Sequence, residues 1–313
     1  MTLCAVARLA AGLALWLAAC AWSPCWARSP QAEAAHQTEA ATARGFAWEA
    51  AKDGRHVLLA GTIHVGRAAA PPIDCKGRFA QVAIVAFEAD VFDAQRVGEL
   101  MQKIALYPPH EADLKARLPA ALRERVAALL ARYGIEAPAL WRMKPWMLAN
   151  TLVVVEARRL GFDPAYATEV ALYDFARRCG KAVVEIEGLE RQLAIFDGAS
   201  PGLQIAYLEQ AVRGIDTGES AREMRRLVAA WEQRDGAAIE RALATMRAAQ
   251  AAAERFVVEQ VIEARHPAMV DAIERFAASG KLHLVAVGSL HYFGPNGLLA
   301  LLRARGYTIE PLD

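Results

Sequence analysis

The chain has 313 residues, a formal net charge of +1, 55% hydrophobic and 23% charged residues. Those proportions allow a sizeable buried core and exclude an intrinsically disordered chain. They also argue against nucleic-acid binding through phosphate contacts, because the arginines alternate with glutamates on stretches such as ALRERVAALLARYG (residues 121–134), the pattern of solvated helix faces.

The N-terminus reads as a processing segment over residues 1–27. Arg8 precedes an apolar run from Leu9 to Ala19, too short to span a bilayer and suited to a secretory leader. Leu-Ala-Ala-Cys (Leu17–Cys20) resembles a bacterial lipobox, which would make Cys20 a lipid anchor. The small residue Ala27 offers an ordinary cleavage site instead. Either route exports the protein to the periplasm, with membrane contact only through the Cys20 anchor. Residues 28–45 are polar, Ala-rich and without apolar periodicity, as a tether would be, and the folded body is expected over 46–313. Cys75 and Cys179 remain in that body. An oxidising compartment permits a bridge between them, and two separate buried thiols are the alternative. No Cys-x-x-Cys pair is present, which argues against a thiolate zinc site.

Within the body, HVLLAGTIHVG (residues 56–66) opens as a continuous apolar run closed by glycine, the mark of a strand buried on both faces. VAIVAFEADVF (82–92), KAVVEIEGL (181–189), KLHLVAVGSLH (281–291) and GYTIEPL (306–312) read as further strands. Helical spacing fills 119–133, 147–159, 169–178 and much of 203–276, and Gly180 and Gly280 sit where helix C-caps belong. Strands alternating with helices predict an α/β domain: a mixed sheet with flanking helices and large helical insertions near 95–180 and 203–276. Nothing in the composition forces a second domain.

In open α/β sheets ligands gather beyond the carboxyl ends of strands. His64, Glu88, Glu187 and His291 all fall there. Two imidazoles with one or two carboxylates suit Mn, Co, Zn or Fe(II), and such a metal would activate water while a spare carboxylate takes the proton. The phrase HVLLAGTIH is echoed by HLVAVGSLH. Its leading histidines, His56 and His283, are excluded because eight residues of strand at about 3.3 Å each separate them from His64 and His291.

The paired Gly-x-x-His motifs, GTIH (61–64) and GSLH (288–291), resemble those of the TraB/GumN family, which includes PrgY and Tiki and is proposed to contain metal-dependent proteases. IVAFEAD, KPW (Lys144–Trp146), EIEGLERQL and the C-terminal run HLVAVGSLHYFGPNGLLALLRARGYTIEPL carry the likeness across the body. The resemblance implies a core related to the erythromycin esterase and ChaN-like folds. It implies a divalent metal held by His64, His291 and Glu88, with Glu88, Glu187 and Arg265 as catalytic residues, Arg265 as an oxyanion stabiliser or, alternatively, an ordinary buried ion-pair partner of Glu88 or Glu187. A peptide or a small molecule would be the substrate. The family arginine is usually followed by asparagine; here His266 and Pro267 follow Arg265. That departure puts activity in question. Three functions compete: a metal-dependent peptidase, a protein that only binds metal, haem or peptide, and an esterase-like hydrolase needing no metal.

Overall fold

A computed structural model describes residues 45–70, 72–135 and 138–312. The expected signal segment (1–27), its lipobox (17–20) and the tether as far as residue 44 lie outside the described residues. Six strands form one sheet: β1 (Phe46–Lys52), β2 (Arg55–Thr62), β3 (Ile84–Phe87), β4 (Ala182–Glu185), β5 (His283–Gly288) and β6 (Thr308–Pro311). Their order across the sheet is β4-β3-β5-β2-β1-β6. β4, β3, β5 and β2 run parallel, and β1 is antiparallel to both neighbours. The fold is therefore α/β with a mixed sheet, as expected.

The apolar runs of β2, β3 and β5 become strands buried on both faces, whereas β4 and β6, at the two sheet edges, have no fully buried residue. Leu59, Val285 and Val287 face the larger core, with Trp48 and the helices. Leu58, Val85, Phe87, Leu284 and Ala286 face a smaller core with Leu172, Phe175 and Ala176. β1 has no such run. Phe46, Trp48 and Ala50 alternate with less buried neighbours, the period-two signature of a half-buried strand. Asp53 (φ 51°) and Gly54 (φ 72°) turn it into β2, matching the Asp-Gly preference of tight hairpins.

The principal helices are α1 (Ala120–Arg132), α2 (Pro145–Arg159), α3 (Thr168–Arg178), α4 (Leu189–Asp197), α5 (Pro201–Asp216), α6 (Glu219–Glu232), α7 (Gly236–Arg247) and α8 (His266–Ala278). Ser200 and Asp235 cap α5 and α7, accepting from the backbone N–H groups of Leu203 and Ala238. Gly180 and Gly280 follow α3 and α8 with positive φ, as the capping pattern predicts. Ahead of α8, a π turn (Val257–Ile262) and a 3-10 turn (Glu263–Arg265) interrupt regular winding. Pro267, which lacks an N–H, fits the first turn of α8 without breaking a bond. Among the described residues no helix is long and apolar enough to cross a membrane.

Cys75 and Cys179 form a disulfide, with Cα atoms 5.6 Å apart and 104 residues between them in sequence. It ties the segment before β3 to the end of α3. A loop of that size implies about 4–5 kcal/mol of stabilisation through the unfolded state. Reduction, or replacement of both cysteines by serine, is expected to lower the urea midpoint accordingly while leaving the strand-end geometry intact.

Candidate active site

The carboxyl ends of the four parallel strands converge on one place. β2 and β5 pair as far as Thr62 opposite Gly288, so both Gly-x-x-His segments leave the sheet side by side. Beyond β2, the backbone is clamped to the start of α3. Thr168 N donates to the Ile63 carbonyl (3.0 Å), Ile63 N donates to Thr168 Oγ1 (3.3 Å), and Gly66 exchanges two backbone bonds with Asp163. That clamp brings Glu169 to His64: Glu169 Oε1 lies 2.7 Å from His64 Nδ1. His64 Nε2 has no hydrogen-bond partner among the described residues, and 16% of the side chain stays exposed.

β3 pairs with β4 and β5 for four residues, then turns away. Both acidic candidates lie past this point, where Glu187 N and Gly188 N donate to the Glu88 carbonyl. Glu88 Oε1 accepts from Gly288 N (2.7 Å), and its Oε2 is ion-paired with Arg265. Glu187 Oε2 accepts from Arg265 Nε (2.8 Å) and Nη2 (2.5 Å). Arg265 Nη1 reaches the Val261 carbonyl (3.1 Å) and His291 Nε2 (3.2 Å). All five guanidinium N–H groups thus have protein partners. Arg265 has no donor left over for an oxyanion in this arrangement, and it acts as the cross-brace of two buried carboxylates.

His266 closes the network. Its Nδ1 is 2.5 Å from the Asn296 carbonyl and its Nε2 is 3.1 Å from His291 Nδ1. Burial pushes the His266 imidazole down to about 4, and burial followed by Arg265 pushes His291 well below its ordinary value. Both rings are neutral at neutral pH. Burial also disfavours the charged form of His64, but the Glu169 carboxylate, and Glu88 beyond it, more than offset this and raise its pKa above 6.5. Glu88 is likewise penalised by burial; Arg265, His64 and the Gly288 N–H outweigh that penalty and hold it ionised below the usual carboxylate range.

A narrow, largely apolar cleft opens beside His64 and His291. Its floor holds His64, Gly288 and His291, and its roof is Met224, Leu227, Val228 and Trp231 of α6. Trp231 Nε1 donates to the Gly61 carbonyl (2.7 Å), which fastens that roof to the end of β2. The motif glycines are places of close approach. A Cβ at Gly61 would lie 2.9 Å from Ser289 Oγ, and one at Gly288 would lie 3.3 Å from His64 Nε2 and 3.4 Å from Glu88 Oε1. Gly288→Ala is therefore expected to leave the melting temperature within a few degrees but to displace the His64 ring, read as a shift of its imidazole resonances.

The residues read from the sequence thus meet as follows. Glu88, Glu187, Arg265 and His291 share one hydrogen-bonded network, and His64 stands beside it, paired with Glu169. His56 and His283 stand at the opposite ends of β2 and β5: His56 pairs with Glu49 (2.9 Å), and His283 stacks on Phe276. Glu169 was not anticipated, since nothing in EVALYDFARR separates it from an ordinary first-turn glutamate. Gln192, inside EIEGLERQL, was not singled out either; its Nε2 lies 3.4 Å from both Glu88 Oε2 and Glu187 Oε2.

As they stand, these side chains do not make a metal centre. Among the described residues no group of three or more His, Cys, Asp or Glu side chains is disposed to hold an ion. Arg265 occupies the cationic position beside Glu88, Glu187 and His291. An ion held by His64, Glu88 and His291 would require that guanidinium to withdraw.

The sequence model of the TraB/PrgY/gumN family matches residues 46–311, from the first residue of β1 to the last of β6. The chain belongs to this family. It is also similar to the uncharacterized protein YbaP of Escherichia coli (strain K12), 26% identical over 258 residues, covering 80% of this chain and 88% of YbaP. YbaP of Shigella flexneri matches at the same identity and coverage. No solved structure matches the chain. The family match therefore spans the paired Gly-x-x-His motifs, Glu88, Glu187 and the Arg265-His266-Pro267 segment together.

Proposed function

We propose that the chain is an exported hydrolase that cleaves peptide bonds in the cleft beneath α6, with His64 as the general base. One observation carries this reading: a carboxylate-backed imidazole, His64 on Glu169, presents an unpaired Nε2 to an apolar cleft. Such a pair abstracts a proton from water as the oxygen attacks a carbonyl, and the carboxylate stabilises the imidazolium that forms. The C–N bond then breaks, and His64 returns the proton to the departing amine. Water and the amide become a carboxylic acid and an amine. Glu88, Glu187 and Arg265 fix the floor of the site, and the apolar roof excludes water and holds an aliphatic part of the substrate.

A second reading, metal-dependent hydrolysis, is supported by the approach of His64 Nε2 and Glu88 Oε1 to the same point beside Gly288. Export is supported by the apolar leader and by the Cys75–Cys179 pair, since disulfides persist in oxidising compartments. The lipid anchor at Cys20 is part of the same proposal, and mass spectrometry of the mature N-terminus distinguishes it from cleavage after Ala27.

The test is a peptide library assayed with the purified chain, alone, after exhaustive chelation and after chelation with added Mn, Co, Zn or Fe(II). Cleavage that survives chelation, and falls about 10²–10⁴-fold in His64→Ala, is the expected result. Cleavage abolished by chelation and restored by one ion would replace it with the metal-dependent reading. Tight peptide binding with no cleavage under any condition would overturn both in favour of a sequestering protein.

A further inference from the structure

The hydrogen bonds around the two Gly-x-x-His imidazoles leave little freedom in where their protons sit. An arginine only donates, so Arg265 Nη1 at 3.2 Å requires His291 Nε2 to be an unprotonated acceptor. The neutral ring then carries its proton on Nδ1, which faces His266 Nε2 at 3.1 Å. His266 Nε2 must accept, so its own proton is on Nδ1, where the Asn296 carbonyl, which only accepts, lies 2.5 Å away. The chain of donors is consistent from one end to the other. At the second imidazole the logic is shorter: Glu169 Oε1 at 2.7 Å accepts from His64 Nδ1 and leaves Nε2 open to the cleft.

We propose that Glu169 and His266 are positioning residues that hold both Gly-x-x-His imidazoles as Nδ1–H tautomers, which leaves the His64 Nε2 lone pair open to the cleft and the His291 Nε2 lone pair to accept from Arg265. This rests on the reading of His64 as the general base, with His291 bracing Arg265 beside it. It assigns a purpose to the residue after Arg265 that departs from the family's usual asparagine. An imidazole at 266 bridges His291 to the backbone of the Gly294–Gly297 turn, and its ring meets the His291 ring edge-on at 5.2 Å between centroids. A misplaced proton would cost His64 the lone pair that a general base needs, and on His291 it would set an N–H against the Arg265 guanidinium.

The experiment is heteronuclear NMR of the full chain labelled with 15N-histidine, without added metal and at alkaline pH, where both rings are neutral. His64→Gln and His291→Gln spectra assign the two rings. The wild type is expected to show a protonated Nδ1 and a bare Nε2 on both. Glu169→Ala is expected to release His64 into a tautomer mixture and His266→Ala to release His291. Glu169→Gln and His266→Asn, whose amide oxygens can still accept, are expected to restore the wild-type pattern. In hydrolysis, the two alanine variants are expected to lose about 10- to 100-fold in kcat with KM little changed, and the amide variants to recover part of it. An Nε2–H tautomer on either ring of the wild type would overturn the proposal, a result that needs no variant to fold. So would unchanged tautomers in both alanine variants. If the tautomers read as stated but no peptide is cleaved by the wild type, the hydrolase reading fails while the positioning roles stand.

Discussion

Arg265→Ala is expected to cost the fold about 3–5 kcal/mol, because it strands two buried carboxylates that share one guanidinium. Glu88 and Arg265 each expose about a twentieth of their side chains, and Glu187 even less. Stability of a domain is only about 5–15 kcal/mol in all, so the variant should be close to unfolding at physiological temperature. Urea denaturation measures this directly. Arg265→Lys keeps the charge but has three donors where the site uses five, so it is expected to fall between wild type and alanine. Adding Glu187→Gln to Arg265→Ala removes one stranded charge and should recover part of the loss. An Arg265→Ala protein with an unshifted midpoint would contradict the cross-brace described above.

The second large effect is on the pH profile of hydrolysis. A general base works only when deprotonated, and Glu169 stabilises the protonated form of His64. Activity should therefore fall as pH drops through a pKa lying above 6.5, and Glu169→Gln should move that limb to lower pH. For stability the signs oppose one another. The raised pKa of His64 contributes stability that is complete below the unfolded value of 6.5 and is lost as pH rises through the folded value. The depressed pKa of His266 acts in reverse: the unfolded ring takes up a proton first, so stability falls as pH drops from 6.5 towards about 4. His266→Asn is expected to flatten the acid side of the stability curve without touching the alkaline side.

Much of this site was legible because it hangs on strands, and buried parallel strands write themselves as apolar runs. GTIH and GSLH announce the ends of β2 and β5, and AFE and VEIE announce those of β3 and β4. Position relative to a strand end is local information, so His64, Glu88, Glu187 and His291 could be chosen and His56 and His283 set aside. Their partners were harder to see. Glu169 reaches His64 only because Thr168 is bonded to Ile63 across the fold, and no spacing along the chain encodes that clamp. Arg265 is marked as an oxyanion group only by its match to a family arginine, with a buried ion pair to Glu88 or Glu187 as the alternative. Its full set of partners, met from the end of the Glu263–Arg265 turn, depends on tertiary packing and appears only in three dimensions. β1 escaped notice for another reason: alternating Phe46, Trp48 and Ala50 among Glu and Lys is a weak pattern until β2 and β6 flank it.

In the proposed hydrolase the GTIH and GSLH segments, more than two hundred residues apart and joined by the pairing of Thr62 with Gly288, build one site on His64. The most direct test compares single-turnover cleavage of the best library peptide by wild type, His64→Ala and Glu169→Gln after chelation, each verified as folded. Turnover by the wild type is expected, with a loss of about 10²–10⁴-fold in His64→Ala and an acid limb moved to lower pH in Glu169→Gln. Cleavage at the wild-type rate by folded His64→Ala would contradict the proposal.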